Sequence, residues 1–269
     1  MLGRDVVRAA EAAGHDPLGR SRAELDVLDA PAVAEAMAEA DAVVHCAAWT
    51  DVDGAEADEA AARRVNADGA GIVARAARHA GARLVHVSTD YVFDGLAVRP
   101  YLESDPVAPI GAYGRTKLAG EQAVREAGGD HAIARTAWLY GVGGRNFADT
   151  MLRFAEGRDE VAVVHDQIGC PTWTGHLARA LVALAADRGA QGVFHTAARG
   201  RCSWAEFAEA IFDQARVSCR VRRVATAEFP RPAARPAWSV LGSERDGPRL
   251  PEWPEGLAAY LAERSAVRA

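Results

Sequence analysis

The stretch Ala82-Arg-Leu-Val-His-Val-Ser-Thr-Asp90 decides the fold. Its apolar run is typical of a strand that a parallel sheet buries on both faces. Similar short runs recur along the chain, separated by segments with helical periodicity. Strands that alternate with helices predict the α/β class with a doubly wound parallel sheet. Ligands of such sheets bind at the carboxyl ends of the strands, so we expect Thr89 and Asp90 at the ligand-binding edge.

The remaining elements follow from the same periodicity and from capping residues. Ser203-Trp-Ala-Glu206 is a capping box that opens a helix. The proline-rich stretch 229–246 has no clear period and is predicted as an ordered loop. The predicted strands are 42–48, 82–88, 131–138, 160–166 and 192–197. The predicted helices are 3–13, 30–40 after the N-cap Asp29, an alanine-rich region broken near Asn66 and ending at Gly81, 111–127, 147–156, 177–187, 204–215 and 255–263.

Composition excludes several classes of protein. The chain has 269 residues, of which 49% are apolar and 25% charged, and this balance excludes intrinsic disorder. With 31 Lys and Arg against 37 Asp and Glu, the net charge is −6, which is unfavourable for binding nucleic acid or an anionic membrane. No apolar stretch is long enough to span a membrane. Four cysteines without CxxC spacing and a charged N-terminus without a signal-peptide pattern predict free thiols and a cytoplasmic location.

The sharpest chemical signal is Tyr113-Gly-Arg-Thr-Lys117, early in a predicted helix. Positions i and i+4 lie on one helical face, so the phenol and the ammonium project together. A phenol has a pKa of about 10, and a nearby cation lowers that pKa. We therefore expect Tyr113 to act as a proton donor or acceptor near neutral pH. The alternative is an amphipathic helix that exposes both side chains.

The surroundings favour the catalytic interpretation. A strand-end hydroxyl, a Pro/Gly loop and Tyr-x-x-x-Lys on a helix resemble the short-chain dehydrogenase/reductase superfamily. The segments VHVSTDYVFDG, YGRTKLAGEQAV, GGRNF and DQIGCPT, in this order, are similar to the dTDP-4-dehydrorhamnose reductase family. The resemblance runs from about Leu2 to the C-terminus, and it implies a Rossmann-like fold. It also implies reduction of the C4 ketone of dTDP-4-dehydro-L-rhamnose by NADPH.

The resemblance implies a role for each matching residue. Tyr113 would donate a proton to the C4 oxygen, and Lys117 would hold the nicotinamide ribose and lower the pKa of Tyr113. Thr89 would be the hydroxyl of the catalytic triad, with Asp90 beside it contacting the sugar. The cofactor would lie against Ala47, Ala48 and Trp49. The nucleotide-sugar side would be lined by Trp138, Asn146, Phe147 and the loop from Gln167 to Thr172.

Plain structural roles stay open for several of these residues. Trp138 could be core packing, and Asp90 could be a turn residue after the strand. Asn66 resembles a helix asparagine that maintains local geometry. Three histidines and one cysteine are expected in the core rather than in a site, namely His45, His86, His195 and Cys170. No cluster has metal-ligand spacing, so no metal is predicted.

The N-terminal end departs from the family pattern. Met1-Leu2-Gly3 aligns with the end of the glycine-rich turn that holds the pyrophosphate, with Gly3 as its last glycine. The first strand and first glycines of the pattern are missing from the sequence. We expect their loss to leave a gap in the middle of the sheet. An upstream start codon, a truncation that folds in part, and a relative that no longer binds a cofactor remain alternatives.

The segment 15–21, where a second strand would lie, contains a proline and a glycine, which are both unfavourable in a central strand. Ser21 stands where NAD-dependent enzymes carry an acid for the ribose. The flanking Arg20 and Arg22 could meet a 2′-phosphate, which favours NADPH while NADH stays possible. Asp26 and Val27 resemble the segment beside the adenine.

These observations predict two parts. Residues 1–138 plus 176–197 would form the cofactor-binding domain, and 139–175 plus 198–250 a smaller nucleotide-sugar-binding part. Residues 251–269 would be a terminal helix and tail. A reductase of another nucleotide-linked 4-keto-6-deoxysugar and a non-catalytic regulatory relative remain alternatives. The sequence is compatible with a monomer or a homodimer.

Overall fold

The computed structural model describes residues 1–268. The strands are β1 (Ala42–His45), β2 (Arg83–Thr89), β3 (His131–Thr136), β4 (Leu139–Tyr140), β5 (Glu160–Val164), β6 (Ile168–Gly169), β7 (Thr172–Trp173), β8 (Gly192–His195), β9 (Cys202–Ser203) and β10 (Arg220–Val224). The helices are α1 (Leu2–Ala12), α2 (Ala30–Ala36), α3 (Val52–Ala57), α4 (Glu59–Arg63), α5 (Gly69–Ala80), α6 (Ala112–Ala127), α7 (Phe147–Ala155), α8 (Thr174–Ala186), α9 (Trp204–Ala215) and α10 (Trp253–Arg268). A π-helical turn (Arg64–Asp68) and two 3₁₀ turns (Asp90–Val92 and Thr226–Glu228) complete them.

The main sheet contains β1, β2, β3 and β8 in that order, with all strands parallel. Every residue of β2 is buried, because helices cover both faces of the sheet. Val85 and Val87 pack towards α1 and α8, whereas Leu84 and Ile133 pack towards α2, α5 and α6. This alternation confirms the predicted doubly wound α/β class. Among the described residues, no helix is long and apolar enough to cross a membrane.

The N-terminal part of the sheet differs from the expectation. Residues 15–21 form no strand, in agreement with the conformational limits of Pro17 and Gly19. The chain from there to Asp29 runs as turns and irregular backbone, so no described strand lies beyond β1. The expected gap in the middle of the sheet is therefore wrong: β1 is an edge strand, and its first residue, Ala42, is exposed.

Helix α1 contributes apolar side chains to the core that covers one face of the sheet. Leu2, Val6 and Ala10 lie on its buried face and join the core that α8 forms over the sheet. Their spacing of four residues puts them on one side of the helix. The predicted helix at 3–13 is thus confirmed with bounds shifted by one residue. The next helix, α2, is capped by Asp29 as predicted but ends at Ala36 rather than Ala40.

Two histidines pair inside the sheet. His45 and His86 are register partners on β1 and β2, and their Nδ1 atoms lie 3.0 Å apart. Both residues are buried, and both Nε2 atoms lack a hydrogen-bond partner among the described residues. The distance requires one ring to donate and the other to accept, so the two rings cannot both be protonated. Burial lowers the pKa of both imidazoles, which favours the neutral pair.

A second core lies between α7, α9, α10 and β5. Phe207, Ile211, Leu257 and Tyr260 are among its fully buried members. The predicted capping box opens α9, where the Ser203 hydroxyl accepts from the Glu206 amide. Because α10 contributes to this core, the terminal helix is an integral part of the second core. The domain boundaries expected from the sequence remain a prediction.

The open edge of β1 generates a test. A parallel strand followed by Gly-x-x-Gly, joined ahead of Leu2, would pair with this edge and place free amides beside the start of α1. Several backbone hydrogen bonds of about 1 kcal/mol each would form. We expect the melting temperature to rise by about 5 °C or more, and NADPH affinity to rise with it.

The matched control is a Gly/Ser extension of the same length, which cannot pack as a strand. Differential scanning calorimetry and NADPH fluorescence titration would compare the two. Equal melting temperatures and equal affinities for both extensions would contradict this prediction.

Candidate active site

The site forms where β2 ends and α6 begins. Thr89 is the last residue of β2, and its hydroxyl donates to Asp90 Oδ1 at 3.0 Å. Tyr113 lies in the first turn of α6, and a hydrogen bond joins its phenol to Thr89. Helix α6 can approach this closely because Gly114 has no side chain: a Cβ there would lie 2.2 Å from the Tyr91 carbonyl oxygen. The structure therefore brings the expected hydroxyl and phenol together.

The pKa of Tyr113 differs from the sequence-based expectation. Burial raises it to about 12, the charge of Asp90 acts in the same direction, and the hydrogen bond with Thr89 opposes them. Lys117 is on the same helix, as the spacing predicted, but its charge does not lower the Tyr113 pKa here. The phenol is therefore fully protonated at neutral pH, which is the state a proton donor needs.

Lys117 is buried beneath the site. Its Nζ donates to the Val87 carbonyl oxygen at 2.7 Å, and only 2% of the residue is exposed. Burial lowers its pKa to about 8, while the Glu121 carboxylate and Cys46 favour the ammonium form. An ammonium has three donors, and this bond uses one of them. Two donors are left for a ligand.

Two buried polar atoms lack partners at the adjoining strand ends. Asp90 Oδ2 and Thr136 Oγ1 form no hydrogen bond among the described residues, and both residues are at least 96% buried. Burial raises the pKa of Asp90 to about 7, although Ser239 and Thr89 donate hydrogen bonds to the carboxyl. Thr89 and Thr136 are register partners on β2 and β3. Unpartnered polar atoms at this edge are available to a polar ligand.

The segment after β1 is held by an asparagine. Asn66 in the π-helical turn accepts from the Trp49 amide at 2.8 Å and donates to the Trp49 carbonyl oxygen at 3.2 Å. It also donates to the Thr116 hydroxyl on α6 at 3.0 Å. These bonds fit the structural role that the sequence suggested for Asn66. Ala47 is exposed, and Ala48 and Trp49 are half-buried, so this segment is open to a ligand at the strand end.

The residues predicted to bind the adenine end of the cofactor are more exposed than those at the end of β2. Gly3 lies in the first turn of α1, where a Cβ would have no other atom within 4 Å, and Arg20, Ser21 and Arg22 are exposed. The Ser21 amide donates to the Glu24 carboxylate at 2.8 Å, which places an acid beside the two arginines. Asp26 accepts from the Leu28 amide, and Val27 packs against Gly69 of α5.

The predicted sugar side is aromatic. Trp138 has a φ of 46°, a left-handed conformation that costs a bulky residue about 1–3 kcal/mol. Its ring stacks on Trp204 with centroids 3.4 Å apart, and Gly169 leaves room for it. Phe147 packs against Trp204 with ring centroids 4.5 Å apart, and the Trp204 indole donates to Gln167 at 3.2 Å. The structure thus brings Trp138, Phe147 and Gln167 together around Trp204.

Asn146, which is predicted to line the sugar side, also has a role in the fold. Its side chain accepts from the Asp149 amide and so caps α7. Its amide group donates to the carbonyl oxygens of Gly141 and Gly144 at 3.0 and 3.1 Å. These bonds satisfy Asn146 locally, so it positions the loop before α7.

Sequence reasoning missed several residues around the site. Arg235, in the proline-rich loop, forms an ion pair with Asp53 at 3.0 Å, and its charge acts on the Tyr91 phenol. Tyr91 in turn packs edge-on against Tyr113. Ser239, in the same loop, donates to Asp90. The loop contains no periodic pattern, so only its arginine-proline pairs could have drawn attention to it.

The described residues fit a dinucleotide. Lys117 has spare donors at the strand edge, and the amides of Leu2 and Gly3 have no intrahelical partner at the start of α1. The unpartnered Thr136 hydroxyl and the open Ala47–Trp49 segment lie at the same edge of the sheet. The exposed Arg20 and Arg22 form no ion pair within residues 1–268.

The buried carboxyl of Asp90 generates a second test. Because its pKa is about 7 in the folded protein and 3.8 ordinarily, the folded state holds a proton that the unfolded chain loses between those values. Stability therefore falls as pH rises from about 4 to 7. We expect Asp90→Asn to be more stable than the parent at pH 8, by on the order of 2 kcal/mol, and equal to it near pH 4. Urea unfolding at both pH values measures this.

Asp94→Asn is the matched control. A hydrogen bond from Tyr101 lowers the pKa of Asp94, so this variant should be destabilised at pH 8. An Asp90→Asn variant whose stability difference from the parent does not change between pH 4 and pH 8 would contradict the argument.

Comparison with known proteins agrees with this geometry. The chain is 45% identical to a dTDP-4-dehydrorhamnose reductase of Mycobacterium tuberculosis, over 97% of this chain and 90% of the relative. It is 44% identical to a dTDP-4-keto-6-deoxy-D-glucose reductase of Streptomyces niveus, over 91% and 86%. A solved dTDP-4-dehydrorhamnose reductase of Bacillus anthracis, in complex with NADP, matches with a TM-score of 0.94 at 38% identity, over 97% and 95% of the two chains. The family model described as RmlD substrate binding domain matches residues 1–266, so the chain belongs to that family.

Proposed function

We propose that this protein reduces the C4 ketone of dTDP-4-dehydro-L-rhamnose to dTDP-L-rhamnose with NADPH. The observation that carries the proposal is that Thr89, Tyr113 and Lys117 lie together at the end of β2. Tyr113 is hydrogen-bonded to Thr89, and Lys117 to the Val87 carbonyl oxygen. Reductases of this substrate at 45% identity, and a similar structure in complex with NADP, support both the substrate and the cofactor.

Each residue of the site has its own role in the proposed reaction. NADPH, when bound, supplies a hydride to the carbonyl carbon. Tyr113 donates its phenolic proton to the carbonyl oxygen, and Thr89 polarises that oxygen with its hydroxyl. Lys117 holds the nicotinamide ribose with its spare donors. An alkoxide is a stronger base than a phenolate, so a phenol with a pKa of about 12 still gives up its proton.

The remaining site residues bind the two ligands. On the cofactor side we assign Gly3, Arg20, Ser21, Arg22, Asp26, Val27, Ala47, Ala48 and Trp49. On the sugar side, Asp90 offers its unpartnered oxygen, and Trp138 offers an apolar ring face. Phe147 and Gln167 support that ring through Trp204. The four cysteines are unpaired thiols, which supports a reducing location such as the cytoplasm.

A reductase of a different dTDP-4-keto-6-deoxysugar is the second candidate. The Streptomyces niveus relative, named for another sugar, is as similar to this chain as the rhamnose enzymes are. Such close identities do not decide between the two sugars. Both share the C4 ketone and the dTDP group, so the catalytic assignments are the same.

Tyr113→Phe tests the catalytic assignment. Only the proton donor is removed, so we expect kcat to fall by about 10²–10⁴ with NADPH affinity nearly unchanged. Turnover of both 4-keto-6-deoxysugar nucleotides is followed by NADPH oxidation, and the higher kcat/KM identifies the substrate. Tyr91→Phe is the matched control, since it removes the neighbouring phenol. Near-parent turnover in Tyr113→Phe would disprove the role. A parent protein that binds NADPH but turns over neither sugar nucleotide would favour a regulatory relative.

Cofactor preference tests the arginines. With Arg20 and Arg22 beside the non-acidic Ser21, kcat/KM should be higher with NADPH than with NADH. Arg20→Ala/Arg22→Ala should remove most of that preference, whereas Glu24→Gln should increase it by removing the nearby acid. Equal kcat/KM for the two cofactors in the parent would refute the phosphate-binding role.

A further inference from the structure

Glu121 is a fully buried carboxylate that the proposed mechanism does not use. It lies on α6 one helical turn after Lys117, and none of its surface is exposed. An isolated buried carboxylate is costly, so its partners must compensate for its lost hydration. Such a group within one turn of the catalytic lysine needs an explanation.

Its partners lie on two neighbouring strands. Arg135 on β3 donates to both carboxylate oxygens at 2.8 Å, and Ser88 on β2 donates to Oε1 at 2.6 Å. Ser88 and Arg135 are register partners, each one residue before a strand end. Arg125, on the outer side of α6, adds a fourth bond at 2.9 Å. Glu121 thus bonds to the ends of β2 and β3 at once.

Gly120 lets α6 pack closely against the π-helical turn at the same level of the helix. A Cβ at this position would lie 2.1 Å from the Asn66 carbonyl oxygen. The close approach and the carboxylate together fix the turn of α6 that follows Lys117. The segment YGRTKLAGE therefore contains a supporting pair, Gly120 and Glu121, after the catalytic pair.

Glu121 also provides a stable negative charge. Burial favours its neutral acid, but the hydrogen bonds and charge of Arg135, with Ser88 and Arg125, hold its pKa below the ordinary value. The charge of Lys117 acts on His45 at the end of β1, on Cys46 after it and on His86 of β2. Tyr113 lies one turn earlier on α6, Asp90 follows β2, and Arg135 lies on β3. The imidazoles, the thiol and the phenol are neutral at pH 7, and the pKa of Asp90 is about 7.

We propose that Glu121 is a positioning residue of this reductase: its carboxylate ties the turn carrying Lys117 to the two strand ends and keeps the buried lysine in its ammonium form. The proposal deepens the proposed function, because it rests on the role of Lys117 at the cofactor ribose. A carboxylate one turn away opposes the effect of burial on Lys117.

Lys117 is the only lysine in the sequence, so its titration can be observed directly. Protein labelled with ¹³C-lysine gives a single side-chain resonance whose shift with pH reports the Lys117 pKa. In the parent this midpoint should lie near pH 8. In Glu121→Gln we expect it to fall by about one pH unit. The pH above which NADPH affinity declines should fall by the same amount.

Two variants serve as controls. Glu121→Asp keeps the charge and should restore the parent midpoint, with a small loss of melting temperature. Arg125→Gln removes the half-exposed partner and keeps the carboxylate, so the midpoint should not fall. If Glu121→Gln does not fold, Glu121→Gln/Arg135→Gln leaves no unpaired buried charge and takes its place. A downward shift is expected there too, smaller than in Glu121→Gln because removal of the Arg135 charge offsets part of the loss of the Glu121 charge.

A folded charge-removing variant whose lysine midpoint stays at the parent value would overturn the proposal. A variant with a lower melting temperature, and with kcat/KM reduced by the same factor at every pH, would show a structural role alone. That result would also overturn the proposal. The lysine resonance needs neither substrate nor turnover. A parent that reduces no nucleotide-sugar would therefore defeat the proposed function and leave this test intact.

Discussion

The close approach of α6 to the strand ends is the constraint on which the site depends. Gly114 permits it at the Tyr91 carbonyl just after β2, and Gly120 permits an equally close contact between α6 and the Asn66 carbonyl of the π-helical turn. A side chain at either position would require a shift of the helix or its neighbour, because real Cβ atoms do not come within 3.0 Å of such oxygens. Tyr113 and Lys117 lie on the helix between and beside these contacts. Proton transfer depends on distances that a shift of about 1 Å disrupts.

Burial determines the charge state of almost every group near this contact. It moves Tyr113, Lys117 and Asp90 towards their neutral forms. Glu121 is the exception, since four hydrogen bonds compensate for its burial. The site therefore combines groups whose pKa values burial moves towards neutral pH or beyond with the ion-paired Glu121. Such groups can exchange a proton or accept a ligand at small energetic cost.

Much of this arrangement could be predicted from the sequence. The buried run ending at Thr89 located the sheet, and the i, i+4 spacing put Tyr113 and Lys117 on one helix face. The remainder depends on contacts between distant segments. The Tyr113 pKa depends on enclosure, and the Arg235–Asp53 ion pair joins residues that lie far apart along the chain. The edge position of β1 depends on how residues 15–29 run, which short turns without periodicity do not reveal.

The paired imidazoles of His45 and His86 determine where acid would first open this fold. Their hydrogen bond is lost once both rings are protonated, and burial lowers the pKa of His45 to about 3. The unfolded chain binds protons at these rings below about pH 6.5, so acidification favours local opening. The opening would begin at the two-strand seam between β1 and β2, directly beneath Lys117, whose charge already repels a proton there. The second core, around Phe207 and Tyr260, contains no such pair among its buried members. Acid would therefore separate the fold into a part that opens early and a part that persists.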